Sequence, residues 1–217
     1  MDRRYARHPA LDPFAALAEQ FCQLVEDRAS YSAEHFLSAV HPLLAQLYAA
    51  GLGLPSTDIL FDEDQEDGDA EGPNPDRAPD PDGMEHEEWR PLFEALTVKL
   101  GEGGYYREIH DPYDPPDSPE VTGSLADDVA DIYRDLRTGL RKWRRGESGG
   151  ALWEWRFNFE AHWGQHTVDA LRAIHSLAAW HELSWPRGPA AEQTDDADVR
   201  PGISAEETPV RPHAVYS

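Results

Sequence analysis

Cysteine is nearly missing from this chain of 217 residues, because Cys22 is the single one. A lone cysteine excludes an intramolecular disulfide framework and any zinc site that needs two or more cysteines. Cys22 lies in an apolar stretch, which predicts a buried packing role. Long apolar runs are missing too: none approaches the roughly 18 residues of a membrane-spanning helix, and none near the N-terminus resembles a secretion signal. We therefore expect a soluble cytoplasmic protein without a membrane partner.

Basic residues are also scarce, with 19 Lys and Arg against 42 Asp and Glu and a formal net charge of −23. Such a balance argues against a general nucleic-acid binder, which needs a basic face to release counterions, and against binding to anionic membranes. The negative charge is concentrated, because residues 61–88 contain 13 acids and one base. That segment is rich in proline and has no apolar periodicity, so it predicts a disordered acidic insertion.

The rest of the sequence carries apolar residues at helical spacing, and few segments alternate as strands do. We predict an all-α protein: a bundle of about five helices with a disordered acidic internal loop and a disordered C-terminal tail. The predicted organisation is a flexible arm over 1–11, a single helical domain over 12–185 that contains the 61–88 insertion, and a tail over 186–217.

Particular residues mark the expected helix ends. Asp12, followed by proline, predicts an N-cap, and Ser32 and Ser124 predict two further helix starts. Gly51 predicts a helix end as a C′ glycine. Apolar residues recur at helical spacing over 151–183, which predicts one continuous helix of roughly 50 Å at 1.5 Å per residue. The segment between the third and fourth helices contains Asp-Pro pairs, which predict an ordered loop of turn or extended backbone.

The most specific polar pattern lies on the last predicted helix. His162, His166 and Asp169 share one face at i, i+4 and i+7 spacing. The preceding helix offers Asp127, Asp128, Asp131 and Asp135, of which Asp127 and Asp131 are the predicted ligands. Two facing helices with histidines and carboxylates suit a divalent transition metal. The alternative is a structural polar network, because acids are also favoured in the first turns of a helix. Of the two interpretations, the sequence favours the network.

A basic stripe follows one face of the fourth helix through Arg134, Arg137, Arg141 and Arg145. One interpretation is a solvated face whose cations complement the C-terminal end of the helix dipole. The others are a contact with an anionic partner such as nucleic acid, or an intramolecular dock for the acidic insertion.

Tryptophan is abundant near the end of the chain, where six of the seven residues lie between 143 and 185. Trp155 and Trp163 fall on the inward face and are predicted to be core. Trp153 points away from that face, so we expect Trp153 and Trp185 to contact a partner, since tryptophan is enriched at interface hot spots.

Two stretches, 123–136 and 157–175, together with the Asp-Pro-Tyr turn at 111–113, resemble a bacterial family known as domain of unknown function 5063. The resemblance covers roughly residues 12–185. It implies a helical fold and domain boundaries, and it implies no activity, since the family has no established one. It also suggests an accessory role near DNA recombination or repair.

Recognisable catalytic motifs are missing. The glycines at 101–104 lack the Lys-Ser/Thr of a phosphate-binding loop, and no Gly-x-Ser-x-Gly occurs. We therefore favour a non-enzymatic protein-interaction or regulatory domain with an unidentified protein partner and no cofactor. The alternative is a metal-dependent helical-bundle hydrolase that uses the His/Asp site with a divalent metal, and a weaker alternative is the role near DNA repair. The sequence does not fix the oligomeric state.

Overall fold

The computed structural model describes residues 8–56, 83–84, 86–109, 113, 115, 117 and 119–180. The described helices form five units, because the last two follow one another through a π turn without a gap, and a short β-hairpin lies between the third and the fourth. The predicted all-α class and helix number are confirmed. The elements, in order, are α1 (Leu11–Glu26), a 3-10 turn (Asp27–Ser30), α2 (Ala33–Leu52), α3 (His86–Leu100), a 3-10 turn (Gly101–Gly104), β1 (Tyr105–Glu108), β2 (Val121–Ser124), α4 (Leu125–Arg144), α5 (Ser148–Asn158), a π turn (Phe159–Trp163) and α6 (Gly164–Trp180).

Several predicted features lie outside the described residues: most of the 61–88 insertion, the tail over 186–217, residues 1–7 of the arm, and Trp185. Residues 86–88, which the prediction assigned to the insertion, form the first turn of α3. His86 stacks on Trp89 with ring centroids 5.6 Å apart, and Glu88 accepts a hydrogen bond from Arg137 of α4 at 3.1 Å. These contacts hold the turn in place.

Serine side chains cap two helices as predicted. The Ser32 hydroxyl accepts from the backbone N–H of His35 at 3.2 Å, and the Ser124 hydroxyl accepts from that of Asp127 at 3.4 Å. The predicted cap at Asp12 is wrong: α1 begins at Leu11, two residues before the predicted first helical residue, and Leu11 is buried, at 1% exposure. Asp12 lies instead in the first turn, where the helix dipole favours an acid.

The centre of the bundle is aromatic. Phe14 of α1 packs against Trp155 and Trp163, with ring centroids 5.0 and 6.0 Å apart, and all three are fully buried. Gly139 of α4 allows this packing, since a Cβ there would lie 2.1 Å from Trp155 Nε1. The core positions predicted for Trp155 and Trp163 are confirmed.

Gly51 does not end its helix, contrary to the prediction. It lies inside α2, which continues to Leu52. A Cβ at Gly51 would lie 2.8 Å from ring atoms of both Phe159 and Trp163. Glycine is therefore required here by close packing against the π turn, and its position near the helix end is incidental.

A two-stranded antiparallel hairpin replaces part of the predicted loop. β1 pairs with β2 in a register that sets Tyr106 opposite Gly123. A Cβ at Gly123 would lie 2.4 Å from Cζ of Tyr106, so glycine lets that ring cross β2 and reach α4. None of the described helices combines the length and apolar character needed to cross a membrane.

Candidate functional site

The helix predicted over 151–183 is interrupted where its first site histidine lies. Phe159–Trp163 form a π turn, and a single inserted residue of this kind is frequent at functional sites. A Cβ at Gly164 would lie 2.2 Å from the carbonyl oxygen of Phe159, so the turn needs glycine at its end. The prediction of one regular helix is wrong here, because hydrophobic periodicity does not resolve one extra residue. His162 lies inside the turn, and His166 follows it in α6.

Three aspartates of α4 meet the two histidines. His162 Nδ1 lies 2.7 Å from Asp135 Oδ2, and His166 Nδ1 lies 2.8 Å from Asp128 Oδ1. The other ring nitrogens, both Nε2, lie 3.5 Å from the same atom, Oδ2 of Asp131. Each imidazole is thus oriented by one aspartate at Nδ1 and directed at a shared carboxylate with Nε2.

The second oxygen of Asp131 is an exception to the rule that buried polar atoms are hydrogen-bonded. Oδ1 is buried and accepts no hydrogen bond from the described residues. Arg134 Nη1 lies 3.2 Å away, without the alignment of a hydrogen bond. The same guanidinium approaches His162 Nε2 to 3.4 Å and Asp135 Oδ1 to 3.5 Å. Arg134 is therefore part of this cluster.

Protonation within the cluster is strongly perturbed. Hydrogen bonds to Asp131 and Asp135 raise the pKa of His162 to about 9, against the opposing effect of burial. Burial would raise the pKa of Asp131, but the hydrogen bond from His162 and the charge of Arg134 outweigh it and lower that pKa. Burial raises the pKa of Asp128 to about 6. Without a bound cation, His162 is therefore protonated at neutral pH.

An open cleft of about 240 Å³ lies over the cluster. Tyr106 forms one wall, and its hydroxyl donates to Asp128 Oδ2 at 2.8 Å. Burial and the nearby charge of Asp131 raise the pKa of Asp127. The cleft is lined by side chains from the hairpin, the start of α4, the π turn and α6: Tyr106, Glu108, Thr122, Gly123, Ser124, Asp127, Asp128, Ala161, His162, Gln165, His166 and Asp169.

The five predicted ligands divide into two groups. Asp131, His162 and His166 come together, with potential ligand atoms all within 4.8 Å of one another. Asp127 and Asp169 line the cleft, and Asp169 accepts from Gln165 Nε2 at 2.8 Å. Asp128 and Asp135, which the sequence placed on the same helix at i−3 and i+4 from Asp131 but not among the predicted ligands, contact the two imidazoles at Nδ1.

The arginines of the predicted basic stripe lie beside carboxylates. Arg134 belongs to the cluster described above. Arg137 and Arg141 lie 3.1 and 3.6 Å from the same oxygen of Glu88. Arg145 lies 2.9 Å from Glu147. These ion pairs neutralise much of the stripe, so its charge is less available to an anionic partner.

Of the two tryptophans predicted to contact a partner, the structure describes Trp153. Trp153 is half-buried and stacks in parallel on Phe157, with ring centroids 4.9 Å apart. Phe157 is 46% exposed. The two rings, at i and i+4 on α5, form an aromatic pair at the surface.

Comparison with known proteins agrees with the fold and adds no activity. A family model described as Domain of unknown function (DUF5063) matches residues 7–180, which confirms the predicted resemblance. The crystal structure of protein BF1032 from Bacteroides fragilis, a structural genomics target, is similar over 78% of this chain and 92% of that chain. Its TM-score is 0.59 at 23% sequence identity, so the likeness concerns the fold alone. No curated protein matches the chain significantly.

Proposed function

The chain belongs to the DUF5063 family, and from its own site we propose that it is a metal-dependent protein of hydrolase type. In this proposal Asp131, His162 and His166 bind one divalent transition metal ion. The observation that carries it is the 3.5 Å separation of both Nε2 atoms from Asp131 Oδ2. Ligand atoms around a tetrahedral zinc ion with bonds of about 2.0–2.2 Å lie about 3.3–3.6 Å apart.

The surroundings of the three ligands support the same proposal. Histidines that bind a metal usually donate their other ring nitrogen to a carboxylate, which fixes the tautomer and the ring orientation. Asp135 and Asp128 occupy those positions at 2.7 and 2.8 Å. His162 and His166 line the open cleft. Three protein ligands with an open fourth position are typical of a catalytic metal site, where a bound ion makes water a nucleophile near neutral pH.

The net charge of the cluster would not change if a divalent metal ion replaced two histidine protons. Asp128, Asp131 and Asp135 carry three negative charges when ionised, and Arg134 with two protonated histidines would carry three positive ones. Replacement of two histidine protons by one divalent ion leaves the total unchanged. Metal binding would therefore release protons, and Arg134 would move away from the Nε2 atom of His162.

Metal analysis of the purified protein tests this proposal. We expect about one zinc, cobalt or nickel ion per chain by mass spectrometry and calorimetry, with a tetrahedral visible spectrum for cobalt. Asp131→Asn and His166→Gln should each weaken binding at least tenfold, as the loss of one ligand requires. His41→Gln is the control, because His41 and His175 form a separate stacked pair 6.4 Å apart. Absence of stoichiometric binding, or equal losses in the control, would contradict the proposal.

A second candidate function is protein interaction without catalysis, and the Trp153–Phe157 pair favours it, because it lies at the surface with Phe157 46% exposed. A photo-crosslinking residue at position 157 should then trap a defined partner in cells, whereas one at Val98, which is 84% exposed on α3, should not. Equal products from both positions would argue against the candidate. A role at DNA has less support, because Arg137 and Arg141 lie beside Glu88.

A further inference from the structure

A second cavity adjoins the cleft, on the far side of Tyr106. It measures about 310 Å³ and lies between β1 and the later turns of α6. Tyr106 lines both spaces. Along α6, Gln165, His166 and Asp169 face the cleft, and Arg172 and Ser176 face the second cavity. The two spaces thus follow one face of a single helix.

The second cavity differs from the cleft in its chemistry. Its lining includes the buried apolar residues Leu125 and Ala173 and the rings of Tyr105 and Tyr106. Arg172 supplies a positive charge at its edge. Among the described residues, the guanidinium of Arg172 makes a single long hydrogen bond, 3.4 Å to a backbone carbonyl oxygen, and no ion pair.

Arg172 differs in this respect from the other arginine of the cavity and from the arginines of α4, which form ion pairs. Arg107 forms an ion pair with Glu120, and Arg137 lies beside Glu88. A guanidinium that forms no ion pair with a described carboxylate, and that lies beside an apolar and aromatic wall, suits a ligand that combines an anion with an apolar body, because charge-assisted hydrogen bonds to guanidinium are strong.

We propose that this cavity binds a small amphipathic carboxylate, and that it holds the recognition end of the substrate whose reactive end lies at the Asp131 cluster. The assignment of the two ends rests on the proposed function. The cleft carries Glu108, Asp127 and Asp169, whose charges repel an anion, so the carboxylate lies toward Arg172. His166 and Arg172 are six residues apart on α6, or about 9 Å at 1.5 Å per residue.

The same charges disfavour a phosphate ester as the substrate. A phosphoryl group at the metal would lie among the carboxylates of the cleft. A neutral carbonyl group there, such as an ester or amide, meets no such repulsion. The substrate class that suits the charges of both spaces is therefore an ester or amide that carries a carboxylate at its other end.

Binding of 3-phenylpropionate to the full chain tests this proposal, with 3-phenylpropylamine as a probe of matched shape and opposite charge. Calorimetry should show binding of the carboxylate and none of the amine. Arg172→Ala should weaken carboxylate binding about tenfold or more, as the loss of a charge-assisted hydrogen bond implies. Arg90→Ala is the control, because Arg90 forms an exposed ion pair with Glu94 on α3. No carboxylate binding, equal binding of the amine, or an unchanged Arg172→Ala variant would overturn the proposal.

Measurement with cobalt-loaded and with chelator-treated protein separates this proposal from the metal site. Carboxylate binding that depends on Arg172 in a protein without metal affinity would support the cavity and refute the proposed function. Stoichiometric metal without carboxylate binding would do the reverse.

Discussion

Gly164 allows a direct test of whether the π turn builds the site. Substitution by alanine places a Cβ 2.2 Å from the carbonyl oxygen of Phe159 and 3.1 Å from its ring. The closest atom belongs to the backbone, and the Phe159 ring packs on Trp163 and Tyr48 with centroids 4.8 and 5.4 Å away. Rotation of a side chain therefore does not relieve the contact. The turn must shift or convert to α-helical geometry.

Two effects of known size decide the stability of Gly164→Ala. Alanine is favoured over glycine inside a helix by about 1 kcal/mol, whereas overpacking in a close-packed region costs about 1–3 kcal/mol. The net destabilisation is about 0–2 kcal/mol, which leaves most domains folded. Metal binding is affected more severely. Conversion of the turn to α-helical geometry would change the rotation between the segments before and after it by about 100°, the angle of one helical residue. We expect His162, which lies inside the turn, to lose its contact with Asp135.

Calorimetric metal titration and urea unfolding of the same samples measure both effects. Gly164→Ala should remain folded and bind cobalt at least tenfold more weakly than the parent protein. Gly149→Ala is the matched control in α5, since a Cβ there meets no described atom within 4 Å; it should keep the metal affinity and should not lose stability. Wild-type affinity in Gly164→Ala, or equal stability of the two variants, would refute the reasoning.

Two further predictions concern packing and pH. Gly139→Ala should lower the free energy of unfolding in urea by about 1–5 kcal/mol, because a Cβ 2.1 Å from Trp155 Nε1 displaces a buried ring and its hydrogen bond; an unchanged midpoint would contradict this. The hydrogen bonds that raise the pKa of His162 to about 9 also stabilise the folded, metal-free protein. This contribution is complete below 6.5, the pKa of the unfolded state, and is lost as the pH rises through about 9. Urea unfolding at several pH values should show a flatter dependence for Asp135→Asn, and parallel curves would argue against it.

The fold could be predicted where the signal is local. Apolar residues at helical spacing predict the helices. Ser32 and Ser124 predict two helix starts, because a cap depends only on neighbours two or three residues away. Each strand of the hairpin has four residues, too few for alternation to stand out in a segment rich in Asp and Pro. The prediction at Gly51 was wrong because glycine is needed there for close packing against Phe159, which lies more than one hundred residues away in the sequence.

Part of the candidate site follows from helical spacing, and part does not. Spacing predicts that His162, His166 and Asp131 lie together, and in the structure their potential ligand atoms lie within 4.8 Å of one another. The π turn then changes which aspartates the imidazoles meet, so Asp128 and Asp135 orient them while Asp169 lines the cleft. A single inserted residue decides this, and its sequence signal is Gly164, a glycine in an otherwise apolar helical pattern.

The glycines that this arrangement needs lower the stability of the protein, and this bears on whether the cluster is only structural. Glycine costs about 1 kcal/mol relative to alanine in a helix and also weakens a strand. Gly164 is required by the π turn that carries His162, and Gly123 lets Tyr106 reach Asp128. A regular helix with apolar residues at these positions would bury the same core without either cost, and without an Asp131 oxygen that accepts no hydrogen bond from the described residues. Irregular backbone and unsatisfied polar atoms persist where function compensates for them, so these features support the metal proposal over a purely structural network.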